Sequence, residues 1–201
     1  MPTTSQADTN SPSVWDNGWL ATTTHCPSPN FGPRPADTLL DLIVVHSISL
    51  PPGNYGTGDV QRLFSNQLDW DAHPYFQSIR GLEVSAHFFI TRQGTVWQFV
   101  SCDARAWHAG ASSWRGRDRC NDYSIGIELE GLEGEFFEPA QYTSLVQLCQ
   151  QIRAHYATTA IAGHEHIAPG RKQDPGPGFD WQRMQQALQW PADSYPESLR
   201  A

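Results

Sequence analysis

The sequence predicts an α/β fold, one domain built on a central mixed β-sheet flanked by helices. Three stretches carry that prediction. LLDLIVVHSI (39–48) is a continuous apolar run rich in Ile and Val, the pattern of a strand buried on both faces. SIGIELEG (124–131) alternates Ile125, Ile127 and Leu129 with Gly126, Glu128 and Glu130, the two-residue period of a strand. From Pro139 to Tyr156, Tyr142, Leu145, Val146, Cys149, Ile152 and Tyr156 recur at helical spacing, with Pro in the first turn. Strands interleaved with helices bury their apolar faces by stacking helices on a sheet.

The remaining elements follow in order. Residues 1–14 are mostly small and polar with little to bury, and read as a mobile N-terminal tail. From Trp15 the composition is even, without linker or repeat, so one domain spans 15–190 and residues 191–201 form a C-terminal tail. Gly58–Asp59 opens a helix with Val60, Leu63, Phe64 and Gln67–Leu68 on one face. VSAHFFIT and TVWQFV, on either side of RQG (84–100), form a hairpin. TAIAG (159–163) is a short strand, and GHEHIAPGRKQDPGPG (163–178) is a Pro/Gly-rich loop. Asp180 then caps a last helix carrying Trp181, Met184 and Leu188.

Composition excludes several classes. Thirteen Lys plus Arg against 21 Asp plus Glu give a net charge of −8, the wrong sign for a nonspecific nucleic-acid binder. No apolar run approaches the roughly 20 residues that span a bilayer. No basic-then-apolar leader is visible at the N-terminus, and the four cysteines show no C-x-x-C pair. Scattered reduced thiols in a cytoplasmic protein, working as a monomer, are therefore expected. Eight histidines are many for such a chain, and they invite a chemical use.

The loop at 163–178 is the most informative stretch. Three prolines stiffen it, and it presents His164 followed eight and ten positions later by Lys172 and Asp174. His46, at the C-terminal end of the apolar strand, supplies a third ligand. Two imidazoles and one carboxylate leave a fourth position open for water, the arrangement of a hydrolytic zinc site, and Lys suits an oxyanion. On spacing alone, a plainer alternative stays open: His164 hydrogen-bonded within a loop and Asp174 in a turn before Pro175. Glu128 is costly in mid-strand unless paired or used, or else it lies on the exposed face of an edge strand. His87, within VSAHFFI, reads as a hydrogen-bonded core histidine rather than a ligand. Trp107–His108–Ala109–Gly110 reads as a rim loop whose indole stacks on a sugar, or as core packing. Tyr75 fits either a site or the core. Arg115, Arg117 and Arg119 suggest an anionic ligand group, against a solvated surface run.

VVHSISLPPGNYGTG (44–58), HPYF (73–76), VSAHFFITRQGTV (84–96), RAWHAGASSWRGRDRCNDYSIGIELEG (105–131) and GHEHIAPGRKQDPGPGFDW (163–181) together resemble the zinc-dependent N-acetylmuramoyl-L-alanine amidases. That family is related to the peptidoglycan-recognition proteins, and the nearest likeness is to its cytoplasmic, cell-wall-recycling branch acting on 1,6-anhydro-muramyl peptides. The likeness runs in order from about Trp15 to Trp190. It implies one Zn²⁺ per chain held by His46, His164 and Asp174 at one end of the sheet. It further implies Glu128 as general base, and Lys172 with Tyr75 facing the transition state. Trp107, Arg119, Ala106 and Ser47 would lie at the muropeptide, with Arg119 near a stem-peptide carboxylate. Three positions depart from the pattern: Ser47 where Asn is usual, Glu83 where a basic residue is frequent, and His166, an additional potential ligand, where Asp or Asn is usual. The implied activity is hydrolysis of the amide between the lactyl group and L-alanine. The alternatives are an exported or phage-type amidase acting on intact wall, and a recognition module that binds muropeptide without cutting it.

Overall fold

The structure, a computed structural model, describes residues 14–200, so all but the last residue of the expected N-terminal tail lies outside the described residues. Its centre is a six-stranded mixed sheet. In chain order the strands are β1 (Thr24–His25), β2 (Leu42–Ile48), β3 (Phe88–Ile90), β4 (Val96–Gln98), β5 (Ser124–Glu130) and β6 (Ala160–Gly163). They lie side by side as β6-β2-β5-β3-β4-β1. The β6, β2, β5 and β3 neighbours are parallel, β3 and β4 form the antiparallel hairpin, and β1 joins β4 in parallel. Helices are α1 (Asp59–Phe64), α2 (Pro74–Ser78), α3 (Pro139–Tyr156), α4 (His164–Ile167) and α5 (Trp181–Leu188). This is the α/β architecture that the alternating pattern requires.

Alternation along the strands divides the core. Ile43 and Val45 of β2 and Ile125, Ile127 and Leu129 of β5 meet Leu145, Leu148, Cys149 and Ile152 of α3 and Met184 of α5. Each such side chain, fully buried, contributes roughly 1.5–3 kcal/mol. On the opposite face, Leu42 and Val44 pack with Ala160, Ala162, Tyr123 and Ile167. That second face leads along the parallel strands to His46, Gly126 and Glu128. In α/β sheets, the carboxyl ends of parallel strands are where ligands bind. β5 pairs on both sides, with Glu128 opposite His46 on β2 and Phe89 on β3. Glu128 is thus on an interior strand, and the edge-strand alternative is excluded.

Local chemistry fixes the helix ends. Glu138 and Gln141 form a reciprocal capping box at the start of α3, and Ala157 ends it in a left-handed conformation. Asp180 accepts the Arg183 N–H at the start of α5, as expected. Two expectations need correction. The helix opened by Gly58 closes at Phe64, leaving Gln67 exposed while Leu68 still reaches the core. The 163–178 segment is not all loop, because Gly163 ends β6 and His164–Ile167 form α4. Of the C-terminal segment, residues 191–200 are described, and Tyr195 among them is 1% exposed and joins the main core. Among the described residues, no helix is long and apolar enough to cross a membrane.

Candidate active site

Three side chains from separate places converge at the carboxyl end of the sheet. His46 projects from β2, His164 from the first turn after β6, and Asp174 from the proline-rich segment ten residues later. All three are buried. His46 Nδ1 lies 2.9 Å from His164 Nδ1, and each of these nitrogens lies 3.1 Å from Asp174 Oδ2. Among the described residues this is the one group of three with metal-ligand geometry. A tetrahedral zinc site with bonds near 2.0–2.1 Å has donor–donor edges of about 3.3 Å, close to this triangle.

The hydrogen-bond direction at His164 tests the fit. Its Nε2 faces the Ala109 carbonyl at 3.0 Å, and a carbonyl only accepts, so Nε2 carries the ring proton and Nδ1 is bare. A bare nitrogen and a carboxylate oxygen at 3.1 Å share no proton and repel unless a cation sits between them. The donor set therefore suits a divalent metal. Burial pushes His46 down to about 4 against the pull of Asp174, keeping its ring neutral and competent as a ligand. Burial opposes the Asp174 charge, but the contacts with His164 and His46 outweigh it and hold the carboxyl below the usual carboxylate range. His166 stands apart from the triangle. Its Nδ1 accepts the Gly163 N–H at 3.0 Å and its ring packs edge-on against Trp181.

Beside the triangle opens a cleft of about 250 Å³. Glu128, Lys172, Ser47, Trp107 and Tyr75 all line it, with Leu63 and Ile79 among its apolar wall residues. Glu128 Oε2 and Ser47 Oγ are buried without a hydrogen-bond partner. An unpartnered carboxylate oxygen is expensive in a fold, and here it borders the cleft. Desolvation, helped by nearby Asp174 and opposed by Lys172, raises the Glu128 carboxyl well above its ordinary value. Tyr75, on α2, is 36% exposed at the rim rather than in the core.

Other expected substrate residues are placed differently. Ala106 is fully buried and pairs with Phe31, outside the lining of the cleft. Arg119 also lies outside the lining, its exposed side chain 3.2 Å from Asp122. Arg117 pairs with Asp41 and covers the Tyr123 ring, and Arg115 covers Trp114. Glu83 is exposed and does not line the cleft, although its neighbours Leu82 and Val84 do. His87 is a core residue, its Nδ1 accepting the Gly126 N–H at 3.0 Å.

Sequence reasoning missed the residues that hold the ligands. His108 Nδ1 meets His46 Nε2 at 2.9 Å. Asn121 Oδ1 accepts the backbone N–H groups of His108 and Ala109, at 3.1 and 2.8 Å. Arg171 donates to the same Ala109 carbonyl that His164 uses. These partners are distant in sequence, and only the unusual number of histidines hinted at them.

The N-acetylmuramoyl-L-alanine amidase family model matches residues 36–177. The 1,6-anhydro-N-acetylmuramyl-L-alanine amidase AmpD of Enterobacter cloacae is 49% identical over 180 residues, 89% of this chain and 96% of that protein. The crystal structure of a selenomethionine derivative of AmpD superposes with a TM-score of 0.84 at 48% identity, covering 86% of this chain and 98% of that one. The amidase AmiD from E. coli, solved with the substrate anhydro-N-acetylmuramic acid-L-Ala-D-γ-Glu-L-Lys, aligns with a TM-score of 0.55. It is 30% identical and is matched over 77% of this chain and 60% of its own. By sequence, fold and the convergence of His46, His164 and Asp174, the chain belongs to the N-acetylmuramoyl-L-alanine amidase family.

Proposed function

We propose that the protein hydrolyses the amide joining the lactyl group of 1,6-anhydro-N-acetylmuramic acid to L-alanine in muropeptides released during peptidoglycan turnover. The observation that carries the reading is the bare donor triangle of His46, His164 and Asp174 at the floor of a cleft shared with Glu128 and Lys172. Similarity to AmpD over nearly its whole length supports the anhydro-muramyl substrate. Zinc, held by those three side chains, supplies Lewis acidity that lowers the pKa of water and polarises a carbonyl.

The chain's own groups do the rest. Glu128 Oε2 takes the proton of the attacking water and returns it to the departing alanine nitrogen, so one water is consumed and a carboxylic acid and an amine are formed. Its raised affinity for a proton suits both halves of that transfer. Lys172 places positive charge beside the oxyanion, an effect of about 3 kcal/mol for a well-placed donor. Trp107 offers an aromatic face to the sugar, while Ser47 Oγ has its hydrogen bonding free for the substrate and Tyr75 closes the rim. Arg119 meets the stem-peptide carboxylate from outside the cleft, and Ala106 belongs to the same substrate-binding segment as its neighbour Trp107.

The whole donor set comes from one chain, which supports a monomer as the working unit. Four free thiols, three of them buried, support action in the cytoplasm. Mass spectrometry of products from anhydro-muropeptide and from intact sacculi, with and without chelator, tests the reading. The expected result is chelator-sensitive release of stem peptide from the soluble substrate, with sacculi poorly cut. Cleavage confined to sacculi would favour the wall-acting alternative. Binding without cleavage by zinc-loaded protein would make it a recognition module.

A further inference from the structure

The far side of His46 contains a chain of hydrogen bonds with one consistent direction. Ser124 Oγ lies 2.6 Å from the Cys120 carbonyl and 3.2 Å from His108 Nε2. A hydroxyl has one proton and a carbonyl has none, so the Ser124 proton points at Cys120 and its oxygen accepts from His108. The neutral His108 ring then carries its proton on Nε2 and has a lone pair on Nδ1. That lone pair faces His46 Nε2 at 2.9 Å, which must donate. His46 is left with a bare Nδ1, the atom aimed at His164 and Asp174.

The position of the His108 ring is equally determined. Asn121 holds the backbone of His108 and Ala109. The ring lies against the β5 backbone at Gly126, where an added Cβ would sit 2.5 Å from His108 Cγ. Only glycine leaves room for it. His87 supports the same spot by accepting the Gly126 N–H.

We propose that Ser124 and His108 are positioning residues that set the tautomer of His46, so that the chain from the Cys120 carbonyl to His46 prepares Nδ1 as a metal ligand. The inference deepens the zinc reading above and rests on it for its consequence, while the position of the His108 proton is read apart from zinc affinity. Residues that orient a ligand histidine typically change metal affinity 10–100-fold when removed.

Ser124→Ala removes the acceptor for His108 Nε2–H. The proton then moves to His108 Nδ1, which faces His46 Nε2 and drives the His46 proton onto Nδ1. His108→Leu removes the acceptor for His46 directly, whereas His108→Asn keeps an oxygen near the position of Nδ1. The experiment combines long-range ¹H–¹⁵N NMR of the imidazoles in zinc-loaded protein with zinc affinity measured by competition against a chromophoric chelator. Expected results are Nε2–H forms for His46 and His108 in the parent, and zinc binding weakened about 10–100-fold in Ser124→Ala and His108→Leu. His108→Asn should recover most of the affinity. Should His108→Leu fail to fold, Ser124→Ala decides alone, since it deletes one hydroxyl. An Nδ1–H His108 in the zinc-loaded parent overturns the proposal, as does zinc binding within twofold of the parent in Ser124→Ala. A parent that binds no zinc yet shows His108 in the Nε2–H form overturns the zinc reading and leaves the relay standing.

Discussion

Replacing Glu128 by Gln keeps the side chain's volume and shape while removing its basicity. The affected atom is Oε2, buried at the cleft and without a partner, so the change breaks no hydrogen bond within the fold. Zinc content and muropeptide binding should be retained. Turnover should fall about 10²–10⁴-fold, equivalent to roughly 2.7–5.5 kcal/mol in the barrier. A second magnitude comes from the environment of the carboxyl. Burial, with Asp174 adding and Lys172 opposing, holds its protonation well above the ordinary range. An unfolded Glu titrates near pH 4.3, so between there and the raised folded value the native state binds more protons than the unfolded state. The contribution of this carboxyl to the stability of the metal-free parent is therefore fully present below about pH 4.3 and declines as pH rises through the folded value, by at most about 1.36 kcal/mol per pH unit. Gln does not titrate, so the variant should gain on the parent with rising pH. Product formation followed by chromatography, and urea midpoints from pH 4 to 8, measure the two effects. Cleavage by Glu128→Gln at the parent rate would refute the proton-transfer role. A stability difference independent of pH would refute the assigned environment.

Elemental analysis should find about one zinc per chain in the parent and in His166→Ala, whose ring lies outside the triangle, but none in His164→Ala. Loss from His166→Ala with retention in His164→Ala would reverse the ligand assignment. His87 is fully buried, and burial followed by the Arg34 charge holds its protonation far below the ordinary histidine value. The unfolded state thus binds more protons below about pH 6.5, so this contribution is present above that pH and is lost as pH falls; the difference in urea midpoint between parent and His87→Gln should therefore shift in favour of the variant from pH 8 to 5. An equal slope in the variant would assign the acid sensitivity elsewhere. Arg119→Ala should lower kcat/KM at least tenfold on muropeptides with free stem carboxylates; equal values would leave Arg119 solely as the partner of Asp122.

What the sequence reveals depends on how local the cause is. The buried strand around Val44 and the long helix from Pro139 are legible because periodicity and an initial proline act within a few residues. His164, Lys172 and Asp174 are legible because one stiff segment carries all three. The β5 strand is legible, but its interior place is not, since pairing with both β2 and β3 depends on chain 35 or more residues away. His108 is harder still. Its function rests on a glycine, an asparagine and a serine, each ordinary alone, whose significance appears only once Gly126 brings the ring against the strand. Arg119 stands between these cases: the sequence marks it as an anion-binding candidate, while its pairing with Asp122 and its place outside the cleft lining appear only in the fold.

The parallel pairing that sets Glu128 opposite His46 gives the centre a kind of dimensional stability. Their separation is inherited from the spacing of adjacent strands, about 4.8 Å, rather than from the closing of a lid. Fluctuations of the rim can admit or release substrate without altering the distance between Glu128 and His46. Heat should leave the reactive geometry intact until the sheet itself parts, so inactivation and global unfolding should coincide. Changes in preference among wall fragments can then accumulate on α1 and α2 while the machinery on β2 and β5 stays fixed.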